Sequence, residues 1–262
     1  MSRTGETSPF FRGEGITLRF GGVTALQGAH FAVSRGELLA VIGPNGAGKT
    51  SLFNVVTGFY RMEAGEVWLE ETPLTNLATH VVARHGIIRT FQNLELFSNM
   101  TVLENVLTGA HLHAGYGTLD SFLRTPRFFR EERRLHERAA AALDFVGLSG
   151  RRELLADQLP FGLARLLEIA RALAAEPRIL LLDEPAAGLN LRETAELGRL
   201  IRRIVEHGVT VVMVEHDMDL VMGISDRIVV LNYGEVIADG APADIQRNPA
   251  VIAAYLGEEA AA

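Results

Sequence analysis

Gly43-Pro-Asn-Gly-Ala-Gly-Lys-Thr50 reads G-x-x-x-x-G-K-T, and this stretch decides the fold. It is the pattern of a phosphate-binding P-loop. Gly43, Gly46 and Gly48 let the backbone curl so that N–H groups point inward at a nucleotide's phosphates. Pro44, Asn45 and Ala47 complete the loop. Lys49 can reach the β- and γ-phosphates, and the Thr50 hydroxyl can ligate Mg²⁺, with Ser51 next to it. Glu37 to Ile42 before the loop reads as a buried strand, and Thr50 to Val56 after it as a helix. Strand, loop and helix in that order suit the chemistry, because the helix N-terminus adds a field that favours anions. A glycine-rich turn without a ligand is the competing reading, and this context disfavours it.

The chain has 262 residues, 48% hydrophobic and 22% charged, an ordinary composition for one large domain or two small ones. Its net charge of −7 and pI of about 5.7 make it a poor candidate for binding nucleic acid. It has no cysteine, which excludes disulfides and thiolate metal sites. No secretory signal is visible at Met1 to Thr7, and no apolar run reaches the roughly 18 residues of a membrane span. A soluble protein is expected, and at a membrane other chains would do the spanning.

The first twelve residues read as a loose arm. Ile16 to Phe20 and Phe31 to Val33 alternate as strands do, with a turn at Gly21-Gly22, and Gly65 to Glu70 is another short strand. No strand pattern occurs from Leu94 to Leu173. There Leu135, Ala139, Ala142, Leu143 and Val146 fall at helical spacing, and Glu131-Glu-Arg-Arg134 reads as a solvated helix face. Strands return at Arg178 to Asp183 and Val209 to Val214, followed by a hairpin around Asn232-Tyr-Gly234. Thr101 with Glu104, and Asn190 with Glu193, read as helix starts. Trp68 and Met213, Met218 and Met222 read as packing residues. His111 and His113 make a poor metal site, having no third ligand nearby. The simplest architecture is an α/β core with a helical insertion.

Three further positions suit phosphate chemistry. Ile179 to Leu182 runs into Asp183-Glu184. Asp183 can hold a Mg²⁺ that bridges the phosphates, and Glu184 can polarise the attacking water. His216 follows a buried strand, at the sheet edge where ligands collect in open α/β folds. It can donate to a γ-phosphate or hold the water. Gln92 lies where the core joins the helical insertion, and its amide can reach Mg²⁺ or water.

Together these residues resemble the ATP-binding cassette ATPase family. The P-loop, Gln92, Asp183-Glu184, Ala186 to Asn190 and His216 look like its Walker A, Q-loop, Walker B with catalytic glutamate, D-loop and H-loop, in that order. The resemblance covers essentially the whole chain. It implies a P-loop NTPase with a mixed-sheet core, an antiparallel β subdomain and a helical subdomain at residues 94–164, all within one domain of residues 1–262. It implies ATP and Mg²⁺ as ligands, with Thr50, Gln92 and Asp183 toward the metal. It places Phe20 where the family stacks adenine, a contact worth about 1–3 kcal/mol by analogy with base stacking. It also implies a peripheral position on the cytoplasmic face of the inner membrane.

One element departs from the family. Its signature loop, Leu-Ser-Gly-Gly-Gln, is here Leu159-Pro160-Phe161-Gly162-Leu163. Pro160 has neither hydroxyl nor N–H, so the partner's γ-phosphate would depend on backbone donors from Phe161 to Ala164. An active, weaker composite site is the expectation.

Other stretches are similar to the LivG-type ATPases of branched-chain amino acid uptake. They include Thr90 to Asn93, Met100 to Asn105, Asp183 to Asn190, Glu215 to Met218 and the tail at residues 241–262, which contains Asn248 to Gly257. The segment His111 to Arg130 matches that group in length. The resemblance implies an energy-coupling ATPase subunit of an importer for branched-chain or related amino acids. Its partners would be a second cassette (a second copy or a LivF-type subunit), two membrane permeases and, indirectly, a periplasmic solute-binding protein. Uptake of urea, amides or aromatic acids and export of lipid or lipopolysaccharide are alternatives within the family. A cytosolic cassette of DNA repair or translation fits the acidic balance and short insertion poorly. A nucleotide-gated scaffold fits Glu184 and His216 poorly.

Overall fold

The computed structural model describes residues 9–259. Among the described residues ten strands alternate with helices: β1 (Phe11–Phe20), β2 (Val23–Val33), β3 (Leu38–Ile42), β4 (Ala64–Leu69), β5 (Thr72–Pro73), β6 (Ile87–Arg89), β7 (Ile179–Asp183), β8 (Thr210–Val214), β9 (Arg227–Asn232) and β10 (Glu235–Gly240). The helices are α1 (Lys49–Val56), α2 (Thr79–Arg84), α3 (Val102–Ala110), α4 (Thr118–Leu123), α5 (Pro126–Phe145), α6 (Phe161–Ala174), α7 (Leu191–Glu206), α8 (Met218–Ile224), α9 (Pro242–Ile245) and α10 (Pro249–Glu259).

The strands make two sheets. One is antiparallel, in the order β2-β1-β4-β5. The other has the order β10-β9-β3-β8-β7-β6, parallel except at β10. Strands buried on both faces read as unbroken apolar runs. β3, β7 and β8 are buried at every position. Their side chains alternate between two cores. Leu38, Ala40, Leu180, Leu182, Val211 and Met213 face a core shared with α3, α5, α6 and α7. Leu39, Val41, Ile179, Leu181, Val212 and Val214 face one shared with α1 and the antiparallel sheet.

Between β6 and β7 the chain is helical. Leu135, Ala139, Ala142 and Leu143 are the buried face of α5. α3 starts in a capping box of Thr101 and Glu104, and α7 in one of Asn190 and Glu193. α3 lies close against α6: a Cβ on Gly109 would stand 2.0 Å from the Arg171 carbonyl oxygen.

The loose arm needs correcting. Residues 1–8 lie outside the described residues, but Phe10 and Phe11 are buried and β1 begins at Phe11. Phe11 pairs with both Val33 and Leu69, and its ring meets Phe31 edge-on at 5.0 Å. Phe10-Phe11, between Pro9 and the Arg12-Gly13 step, look loop-like in sequence. Burial between two neighbouring strands makes them core.

Candidate functional site

The sheet order brings the expected residues together. β3, β8, β7 and β6 are neighbouring parallel strands, and each carboxyl end leads into one of them: Gly43, His216, Asp183-Glu184 and Gln92. Ligands of open α/β sheets sit at this edge.

The P-loop is held in shape by its surroundings. Gly43, Gly46 and Gly48 have φ of 151°, 72° and 105°. A Cβ on Gly43 would lie 2.0 Å from the Leu231 carbonyl oxygen, and one on Gly48 2.7 Å from that of Ala25. The β9–β10 turn braces the loop, with the Gly234 N–H donating to Ala47 O at 2.9 Å. α1 opens from Gly48 with no side-chain cap. Lys49 Nζ arches back to Gly43 O (2.6 Å) and Pro44 O (2.9 Å).

Asp183, at the end of β7, is buried and ion-paired to Arg89 at 2.6 Å. Arg89 also donates to Asn54 Oδ1 at 2.7 Å, and its guanidinium lies over Phe53 and Phe91. Glu184 is half-buried in the left-handed region, with φ of 46°. Gln92 Nε2 donates to Glu184 Oε2 at 2.8 Å. His216 is exposed, its Nδ1 3.8 Å from the same Glu184 oxygen, too far for a direct hydrogen bond. One carboxylate, one amide and one imidazole thus converge beside the phosphate cradle, a set suited to orienting water.

The backbone at Gln92 is clamped by α6. Arg165 donates to Phe91 O (3.1 Å) and Gln92 O (3.0 Å), and Glu168 accepts from Phe91 N–H (3.1 Å). The two side chains pair with each other at 2.7 Å, almost wholly buried. Burial pushes the Glu168 carboxyl above its ordinary value, against the pull of the Phe91 N–H, Arg165 and Arg171.

Pro160 is the N-cap of α6. Ala164 N–H donates to Pro160 O at 2.9 Å, so it is spent within the helix and the expected outward donors reduce to Phe161, Gly162 and Leu163. Leu159 is buried and Phe161 is half exposed. A Cβ on Gly162 would meet Glu193 at 2.6 Å, and one on Gly188 the Phe161 ring at 2.9 Å, so this segment packs on the first turn of α7 and the turn before it. Phe20 is 46% exposed and edge-on to Tyr60 at 5.0 Å.

Directly after β6, Thr90 is buried and Phe91 is 48% exposed. Leu96 is half-buried against the core, and Phe97 is exposed. Phe91, Phe97, Gly109 and Arg171 line a cleft of about 370 Å³. Sequence reasoning missed Arg89, Arg165, Glu168 and Glu215. For Arg165 and Glu168, charge inside an apolar helical stretch was the available signal.

The donors present fit Mg²⁺. Thr50, Gln92 and Asp183 supply hard oxygens. Among the described residues no cluster of three His, Cys, Asp or Glu exists to hold a metal alone.

Comparison with known proteins follows the same lines. The family described as "ABC transporter" matches residues 26–187, and "Branched-chain amino acid ATP-binding cassette transporter" matches residues 235–261. The chain is 48% identical to the high-affinity branched-chain amino acid transport ATP-binding protein BraF of Pseudomonas aeruginosa, over 95% of this chain and 98% of that one. It is 45% identical to LivG of Escherichia coli, over 96% and 99%. A crystal structure of an ATP-binding cassette of an ABC transporter in its ADP conformation superposes with a TM-score of 0.84 at 33% identity, covering 96% of this chain and 100% of that one. A dimeric cassette bound to ADP and Pi superposes at 0.73 with 25% identity, covering 88% and 98%.

Proposed function

The chain belongs to the ABC transporter family and is an ATPase of the cassette type, and from that premise we propose that it is the energy-coupling subunit of an importer for branched-chain amino acids. The convergence of Gln92, Glu184 and His216 beside the P-loop carries the ATPase part of the reading. The match of residues 235–261 and the likeness to BraF and LivG support the solute class.

In this reading residues 43–51 hold the phosphates and Phe20 the base. Glu184 accepts a hydrogen bond from the attacking water and takes its proton as the oxygen bonds to the γ-phosphorus and the bond to the β–γ bridging oxygen breaks, leaving ADP and phosphate. Gln92 and His216 hold that water and the γ-phosphate. Mg²⁺, held by Thr50, Gln92 and Asp183, would neutralise charge on the phosphates. A second cassette, of the same or a LivF-like chain, would present its own signature segment to this nucleotide, while Leu159 to Gly162 here would reach the nucleotide of that partner. Residues 94–164 would form the helical subdomain that meets two membrane permeases. A solute-binding protein would deliver cargo to those permeases, and the chain would sit on the cytoplasmic face of the membrane. Among the described residues no helix is long and apolar enough to cross a membrane.

The test is uptake of labelled leucine, isoleucine and valine by the source organism with Glu184→Gln as its only copy. Loss of uptake for these solutes, with uptake of unrelated solutes intact, is expected. Unchanged uptake refutes the solute assignment.

A further inference from the structure

β7 and β8 lie side by side, with Asp183 opposite Val214, so the loops that follow them leave from adjacent points of the sheet edge. A single side chain spans both loops. Glu215 is 1% exposed. Its Oε1 accepts from the Ala186 N–H at 2.7 Å, two residues beyond Glu184. Its Oε2 accepts from the N–H groups of His216 at 2.9 Å and Asp217 at 3.2 Å. A buried carboxylate is tolerated only when its oxygens are satisfied, and here backbone donors from two loops do so. Before Glu184 the backbone is also tied, its own N–H donating to Val214 O at 2.9 Å. Glu184 therefore sits in left-handed backbone, uncommon for a non-glycine residue, between two fixed points. Such strain persists where the surroundings over-determine it.

We propose that Glu215 is a positioning residue for hydrolysis, setting the separation of Glu184 and His216 so that one water touches both. The proposal rests on the roles given to those two residues above. The 3.8 Å between Nδ1 and Oε2 is too long for a direct bond and suits a shared third group. Each oxygen of Glu215 governs one of the two loops, so the side chain acts on their spacing.

The test is steady-state ATP hydrolysis by the full chain carrying Glu215→Gln or Glu215→Asp, with nucleotide affinity read from a fluorescent ATP analogue. Gln keeps the size but turns an NH₂ toward one set of N–H donors. Asp keeps the charge and is one methylene short of bridging both loops. Glu215→Gln is expected to lower kcat by about 10²-fold, the scale of an ångström's misplacement. KM and analogue affinity should stay within about twofold. Glu215→Asp should fall between, and it decides the question if the Gln variant does not fold. In a His216→Ala background Glu215→Gln should cost markedly less, since residues acting as a unit are not additive. Unchanged kcat in a folded variant overturns the proposal. So does a full additive loss beside His216→Ala, which would make Glu215 a support of the fold alone. Wild-type turnover in His216→Ala by itself would overturn the role of His216 and this proposal together.

Discussion

Gln92 Nε2 donates to Glu184 Oε2 across 2.8 Å, while the Gln92 carbonyl accepts from Arg165 on α6 at 3.0 Å. One residue thus joins the helix behind the signature segment to the carboxylate beside the phosphate cradle.

Glu184→Gln should lower turnover by about 10²–10⁴-fold, the range for losing a general base, with ATP affinity kept. Lys49→Ala should instead weaken nucleotide binding, since Lys49 also ties Gly43 O and Pro44 O together. Phosphate release and equilibrium binding separate the two. Wild-type turnover in Glu184→Gln would remove Glu184 from the chemistry.

Pro160→Ser should leave ATPase intact or raise it. Serine is a favoured N-cap, and its oxygen can accept from the first turn of α6, worth about 1 kcal/mol. A rise in Tm with undiminished activity is the expected result. A fall in Tm, or loss of ATP-dependent dimerisation, would show that the proline ring is itself required at the entry to α6.

Phe97→Ala should leave the chain folded and able to bind ATP. The Phe97 backbone is held independently by the buried Asn105, which accepts from its N–H at 2.9 Å and donates to its carbonyl at 3.0 Å. The exposed ring lines the cleft beside Arg171. Reduced co-purification with the membrane subunits is expected. Recovery equal to wild type would make the ring incidental.

Tyr116 should titrate late. Its hydroxyl donates to Glu132 at 2.5 Å, and burial together with that carboxylate pushes its pKa up to about 12 from an ordinary 10.0. The folded value is the raised one, so the contribution is complete below pH 10 and is lost as pH rises through about 12. Absorbance at 295 nm should show a late tyrosine step that Tyr116→Phe removes. A phenol titrating near 10 would mean that the contact with Glu132 is not maintained in solution.

Much of the site was legible because its motifs are local. The P-loop, Asp183-Glu184 and the capping boxes at Thr101 and Asn190 are each written within a few residues. The residues that were missed act across the chain. Arg89 meets Asp183 from 94 positions away, and Phe91 meets Glu168 from 77. No periodicity records such pairs. A strand's pattern also says nothing about where the sheet ends: just past β6, Thr90 is buried and Phe91 is exposed.

The brace beneath the P-loop also orders events during synthesis. Glu37, at the entrance to β3, is bonded to Arg227 from 190 positions later, and β3 finds its two sheet neighbours only in β8 and β9. A ribosome making about 5–20 residues per second leaves the G-x-x-x-x-G-K-T segment waiting on the order of 10–40 s for these strands and the Gly234 turn. The nucleotide cradle is among the first parts of the chain to be translated and among the last to be completed.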